Sequence, residues 1–148
     1  MRLPEQRLWD RMRINMKPFP SLLLERFENV VSVGVPDVHV LCRPPDRTPG
    51  RGLVTWVELK AVESPPARKT TRLIPVGKGL SREQKNWHLR WQQHCGRSLV
   101  IVGVEHHIQI AIEGRKADFI NEMTMADMIE ASCATTWGEI AWVLGSRP

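Results

Sequence analysis

Asp37, in Val35-Pro36-Asp37-Val38-His39-Val40, and the pair Glu58 and Lys60, in Thr55-Trp56-Val57-Glu58-Leu59-Lys60-Ala61, are the residues whose types and spacing could do chemistry. Each set lies in or beside a short run of β-branched and apolar residues, the pattern of a strand. Side chains alternate faces along a strand, so Glu58 and Lys60 point one way while Val57 and Leu59 point the other, into a core. A carboxylate and an ammonium held side by side against a buried strand lose solvation. A divalent cation and a phosphate in front of them would offset that cost. Asp37 and Glu58 offer hard oxygen donors of the kind that Mg²⁺ and Mn²⁺ take. A cation held there would activate water and polarise a phosphate, and Lys60 could orient the water or stabilise the charge that builds on the phosphate. Taken singly, Glu58 and Lys60 would pass for a solvated pair and Asp37 for a turn cap. Taken together, they favour catalysis.

Positioning such a set requires a sheet. Leu3 to about Ile14 carries an apolar stripe with Pro4 near its start, which predicts a helix. Strand patterns follow at Leu22 to about Val31, Asp37–Cys42 and Leu53–Val62, with a Pro/Gly-rich turn at 43–50 between the last two. Residues 64–79 are rich in Pro, Gly, Lys and Arg and predict a mobile basic loop. Ser81-Arg82-Glu83-Gln84 matches a capping box and Gly96 follows, which bounds a second helix. That helix should set Gln84, Trp87, Trp91 and Cys95 on one face. Ser98–Val104 reads as a strand buried on both sides and His107–Glu113 as the next, joined by a hairpin at Glu105-His106. Thr124 and Thr136 open two cap-like helix starts. The order α-β-β-β-α-β-β followed by short helices is an α/β fold, a mixed β-sheet flanked by helices.

The 148 residues suffice for one core. No apolar run is long enough to span a membrane, and the N-terminus lacks the apolar stretch of a signal peptide. Cys42, Cys95 and Cys133 fit neither a disulfide frame nor a zinc site, so three reduced, mostly buried thiols in a cytoplasmic protein are expected. Charge is uneven: residues 60–100 hold nine Lys or Arg against two acids, whereas residues 101–148 hold three against seven. A basic middle beside an acidic end suits a polyanionic partner. Arg68, Lys69, Arg72 and Lys78 in the basic loop, with Arg82 and Lys85 at the next helix start, are candidate phosphate contacts, which bind without reading base sequence. His39 is placed opposite Asp37 and packed, His106-His107 on a surface turn, and His88 and His94 on the second helix within possible reach of phosphate. Trp87, Trp91, Trp137 and Trp142 read as core or interface.

Pro36-Asp37 followed by Glu58-Leu59-Lys60, on adjacent strands after a helix and before another, resembles the PD-(D/E)xK nuclease superfamily. The wider segment, Arg26-Phe27-Glu28-Asn29, Gly34-Val35-Pro36-Asp37-Val38, Trp56 to Lys60 and Gln84-Lys85-Asn86-Trp87, looks like the virus-type replication-repair nucleases (VRR-NUC) of bacteriophages, which are similar to Holliday-junction resolvases. The resemblance covers roughly residues 5–104 of the sequence. It implies a restriction-endonuclease-like fold with a nuclease core at 1–114 and a C-terminal helical extension at 115–148. It implies Mg²⁺ or Mn²⁺ bound by Asp37, Glu58 and the Leu59 carbonyl. It also implies a glutamate from the first helix, best matched by Glu5 with Glu25 and Glu28 as competitors. Gln84 matches a glutamine on the helix after the motif; its competing role is the capping box with Ser81, and one side chain was not expected to serve both. The implied activity is a metal-dependent endodeoxyribonuclease selective for branched or Holliday-junction DNA, acting as a homodimer in recombination, replication or packaging, in the host cytoplasm if phage-encoded. The Trp137–Leu144 helix is either a dimer element or a cover for the sheet. The rivals are a general flap or nicking nuclease and a DNA-binding module that no longer cuts.

Overall fold

The computed structural model describes residues 3–28 and 33–145. Helix α1, Pro4–Met16, buries Leu8, Met12 and Met16, an i, i+4, i+8 stripe set by its sequence. Strand β1 is Leu22–Arg26, shorter than the pattern suggested; the expected continuation to Val31 runs outside the described residues. Strands β2, Val38–Cys42, and β3, Leu53–Val62, follow. Helix α2, Arg82–Gln93, has the expected capping box at Ser81. Strands β4, Arg97–Val104, and β5, Ile108–Glu113, complete the sheet. After a short 3-10 turn come α3, Ala117–Ile120, α4, Met125–Ala131, and α5, Trp137–Val143. Thr124 and Thr136 cap the last two in reciprocal boxes, as their spacing predicted.

The five strands lie in sequence order. Only β3 and β4 pair in parallel, and α2 makes the crossover between them. The other pairs are antiparallel. The mixed α/β sheet flanked by helices is therefore as read from the sequence.

Alternation in β3 divides the core. Val57 and Leu59 join Leu8, Met12, Val38, Val40, Ile101, Ile140, Ala141 and Leu144 on the face covered by α1 and α5. On the other face Val62, Val100 and Val102 meet Leu73, Ile74, Leu80, Ile120 and Met128. The C-terminal helices thus contribute to both layers. In particular, α5 spends Ile140 and Ala141 on covering the sheet and leaves Trp142 48% exposed. Among the described residues no helix is long and apolar enough to cross a membrane.

The basic loop is not the free segment its composition suggested. Leu73 and Ile74 are buried, Leu73 N–H donates to the Met123 carbonyl (2.9 Å), and Arg72 bridges to Thr124. Two apolar side chains in a polar stretch anchor it to the C-terminal helices. The thiols also depart from expectation: Cys42 is buried, Cys133 half-buried and Cys95 exposed.

Candidate active site

The register carries the site. Val38 pairs with Val57 in the antiparallel β2–β3 ladder, so Asp37, one residue before β2, lies across from Glu58. An Asp37 carboxylate oxygen accepts from Leu59 N–H (3.1 Å), and the Asp37 carbonyl accepts from Phe27 N–H (2.8 Å). The residue is thereby fixed between β1 and β3. Glu58 is 1% exposed. One of its oxygens, Oε1, takes Lys60 Nζ at 3.3 Å and Gln84 Nε2 at 2.5 Å. The other, Oε2, is buried and has no hydrogen-bond partner among the described residues.

These carboxylates sit in an unfavourable setting. Burial pushes Glu58 up to about 8, and the Asp37 charge adds to the rise, against Lys60 and Gln84. Asp37 is also raised, first by burial, with Glu5 adding to it; the Leu59 N–H, Lys60 and Arg26 pull the other way. A buried, unpartnered carboxylate oxygen beside a second carboxylate and a cation is what a hard divalent ion would satisfy, and the donor set fits Mg²⁺ or Mn²⁺. Among the described residues no three His, Cys, Asp or Glu side chains gather as a metal cluster. The protein's donors would thus be the two carboxylates and the Leu59 carbonyl, a sparse set of the kind Mg²⁺ completes with water. Glu5 acts on Asp37 by charge, and Glu25 and Glu28 are exposed.

Gln84 performs both roles that were thought exclusive. Its Oε1 accepts from Ser81 N–H (2.9 Å) while its Nε2 donates to Glu58. An amide has an acceptor end and a donor end, so the capping box orients the amide toward the carboxylate. The helix cap is therefore part of the site.

Gly34 sets the approach of the loop before Asp37 to that cap. Its φ is +90°, and a Cβ there would stand 2.6 Å from the Glu83 carbonyl oxygen and 3.1 Å from Gln84 N. Gly34→Ala should therefore strain the backbone and push the loop off the first turn of α2. We expect a loss of about 2–4 kcal/mol, a drop of about 5–10 °C in Tm by thermal unfolding. An unchanged Tm would show that the loop yields freely.

Other expectations need correction. His39 shares the face of Asp37, since residues two apart in a strand point the same way; it lies against Trp56, ring centroids 4.8 Å apart. His88 is fully buried, its Nδ1 2.8 Å from Ser98 Oγ, and burial lowers its pKa to about 4, so it is a core residue out of reach of phosphate. His88, not Cys95, takes the inward position on α2. His94 is exposed, with Nδ1 2.8 Å from the Arg90 carbonyl oxygen. His106 and His107 lie on the exposed β4–β5 turn, as expected.

Of the candidate phosphate contacts, Arg68, Lys69, Lys78 and Arg82 are exposed and Lys85 is half-buried at the α2 start. Arg72 is engaged by Glu122 at 3.1 Å, which ties the loop to the C-terminal region. The hairpin between β2 and β3 adds Arg43, Arg47 and Arg51, all exposed, which the sequence reading passed over. Three arginines to one acid (Asp46) in that turn was the signal.

No family model matches the sequence, and no curated protein sequence matches it. Among solved structures the fold is similar to that of Hjc from Archaeoglobus fulgidus, a Holliday junction resolvase from an archaeal hyperthermophile. The TM-score is 0.55 and the identity 14%, over 96% of this chain and 98% of that one. At that identity the likeness is one of fold: a mixed five-stranded sheet flanked by helices, shared with a resolvase along nearly the whole length of both chains.

Proposed function

We propose that the chain is a metal-dependent endonuclease of the PD-(D/E)xK superfamily, near its virus-type replication-repair branch, that hydrolyses phosphodiester bonds in branched DNA. The observation that carries this reading is Glu58, a buried carboxylate with one oxygen held by Lys60 and Gln84, the other without a partner among the described residues, and Asp37 across from it. Asp37, Glu58 and the Leu59 carbonyl would hold Mg²⁺ or Mn²⁺, with Glu5 in support. Once bound, the ion would supply an activated water and polarise the phosphate. Gln84 and Lys60 both engage Oε1 and so fix the Glu58 carboxyl with Oε2 buried and left over for the ion. Glu58 must give up a proton for this role near neutral pH, since burial holds its pKa at about 8. Lys60, 15% exposed and beside both carboxylates, is placed to orient water or to stabilise charge on the phosphate. Arg68, Lys69, Lys78, Arg82 and Lys85 would grip flanking phosphates, with Arg72 contributing if Glu122 releases it.

A fold like that of a Holliday junction resolvase supports structure-selective recognition, and a four-way junction cut symmetrically favours a homodimer with two sites on one basic face. The deciding experiment is cleavage of labelled four-way junction, flap, linear duplex and single-stranded DNA in Mg²⁺, Mn²⁺ or EDTA. Junction cutting that needs metal is expected. Equal cutting of every substrate would keep the nuclease and remove its selectivity. Binding without cutting would leave a DNA-binding module on a nuclease fold.

A further inference from the structure

The face of the sheet that bears Asp37 and Glu58 continues beyond them, over β1, β2 and the first half of β3. The register lays it out in rows. Phe27, held to Asp37 by its backbone hydrogen bond, begins the catalytic row of Phe27, Asp37 and Glu58. Glu25, His39 and Trp56 form the next row, with His39 and Trp56 directly paired, and Leu23, Leu41 and Val54 the one after. The hairpin with Arg43, Arg47 and Arg51 closes the far end, about 20 Å from Asp37 at a strand rise of about 3.3 Å per residue.

Beyond the Gln84–Glu58 contact, helix α2 borders this face at Trp87, whose ring centroid is 5.9 Å from that of Trp56. Phe27 is 43% exposed, Leu23 55% and Val54 36%. The three rings of Phe27, His39 and Trp56 touch one another at 4.8–6.0 Å. An aromatic group partly open to solvent, in and next to the row of the proposed metal ligands, is costly to leave bare.

We propose that this face is a single-strand track. In this proposal an unpaired nucleobase next to the cut stacks on the Phe27–His39–Trp56 platform, and the phosphates of the strand leaving it run to Arg43, Arg47 and Arg51. The inference deepens the nuclease reading and rests on it: the substrate class is DNA with unpaired nucleotides beside the scissile bond. Charge and chemistry favour this occupant. A phosphodiester at the Asp37–Glu58 row fixes where a strand must pass. Rings accept any base by stacking, and arginines follow a backbone without reading sequence. Glu25, exposed, stands at the β1 edge of the His39–Trp56 row, and its charge directs the strand's phosphates toward β2 and β3.

The test compares binding of a flap and of a fully paired duplex in Ca²⁺, each with 2-aminopurine beside the branch or at the matching paired position. The flap probe should be quenched by wild type and the duplex probe not. Phe27→Ala, at a position 43% exposed, should lower the flap-over-duplex affinity ratio at least fivefold with the Tm little changed, and Phe27→Trp should restore it. Replacing Arg43, Arg47 and Arg51 together by Ala should reduce the salt dependence of flap binding, by about two in the log–log slope. Equal loss on both substrates, or none, would overturn the track. So would a dimer that Leu23→Lys converts to monomer, since the face would then join two copies of the chain. If wild type cuts nothing while the flap quench persists, it is the nuclease reading that fails. If it cuts flap and duplex alike with no quench, it is the track.

Discussion

Lys60→Ala is expected to lower metal-dependent cleavage by about 10²–10³-fold while affinity for the same DNA changes little. That magnitude is typical for loss of one preorganised group that meets charge developing in the transition state. The position makes Lys60 costly to remove. Its side chain is mostly shielded from solvent, and its ammonium stands 3.3 Å from Glu58 Oε1, where the proposed mechanism would bring the phosphate. In the proposed mechanism its effect would belong to the reacting phosphate, whereas the loop cations would act on flanking phosphates and so on affinity. Lys60→Arg keeps the charge but replaces a compact point donor with a longer planar fork, so it should recover only part of the rate. Single-turnover cleavage and equilibrium binding on one labelled junction separate the two effects. Retention of more than a tenth of the wild-type rate by Lys60→Ala would remove Lys60 from the chemistry. A parallel loss of rate and affinity would make it one more phosphate anchor.

The local rules of strands made the centre of the site readable before any coordinates. Period-two alternation put Glu58 and Lys60 together, and the polar–apolar pattern of β3 turned Val57 and Leu59 inward. What alternation could not show was the second job of Gln84. A capping box is a local motif and a contact with Glu58 is a tertiary one, and only the geometry shows that the two ends of one amide satisfy both. The same rule applied to Asp37 and His39 would have put them on one face, and with them the aromatic platform. The segment 64–79 misled because Pro, Gly and Lys dominate its composition; Leu73 and Ile74, the residues that anchor it, are two among sixteen. His88 was expected on the second helix within possible reach of phosphate, although it sits one helical turn after Gln84 and so shares its inward face. Buried polar residues of this kind leave little mark in a sequence, because the partner, here Ser98, comes from a different element.

Glu58→Gln should abolish cleavage and, without metal, make the protein more stable at pH 8 by about 2–4 kcal/mol. The sign follows from the pKa. Glu58 rises on folding from 4.5 to about 8, so the folded state holds a proton that the unfolded chain releases. Its contribution is fully present below about 4.5 and is lost as pH climbs to about 8. His88 works in the opposite sense. Its pKa falls on folding from 6.5 to about 4, so its contribution is present above about 6.5 and is lost as pH drops toward 4. Between about 4.5 and 6.5 the two slopes oppose each other, and wild type in EDTA should change little. From about 6.5 to 8 only Glu58 still titrates, and stability should fall by about 2 kcal/mol at 1.36 kcal/mol per pH unit. Gln carries no charge to bury, so the variant should instead gain stability up to pH 6.5 and then stay level. Added Mg²⁺ or Mn²⁺ at pH 8 should raise the wild-type Tm and leave that of Glu58→Gln where it was, since a ligand that binds only the folded state stabilises it. Denaturant titrations across pH 5–9, with and without metal, measure all of this. A Glu58→Gln protein less stable than wild type at pH 8 in EDTA would mean that Lys60 and Gln84 fully compensate the buried carboxylate. Glu58 would then owe its place to the fold, and the energetic case for a metal in front of it would be gone.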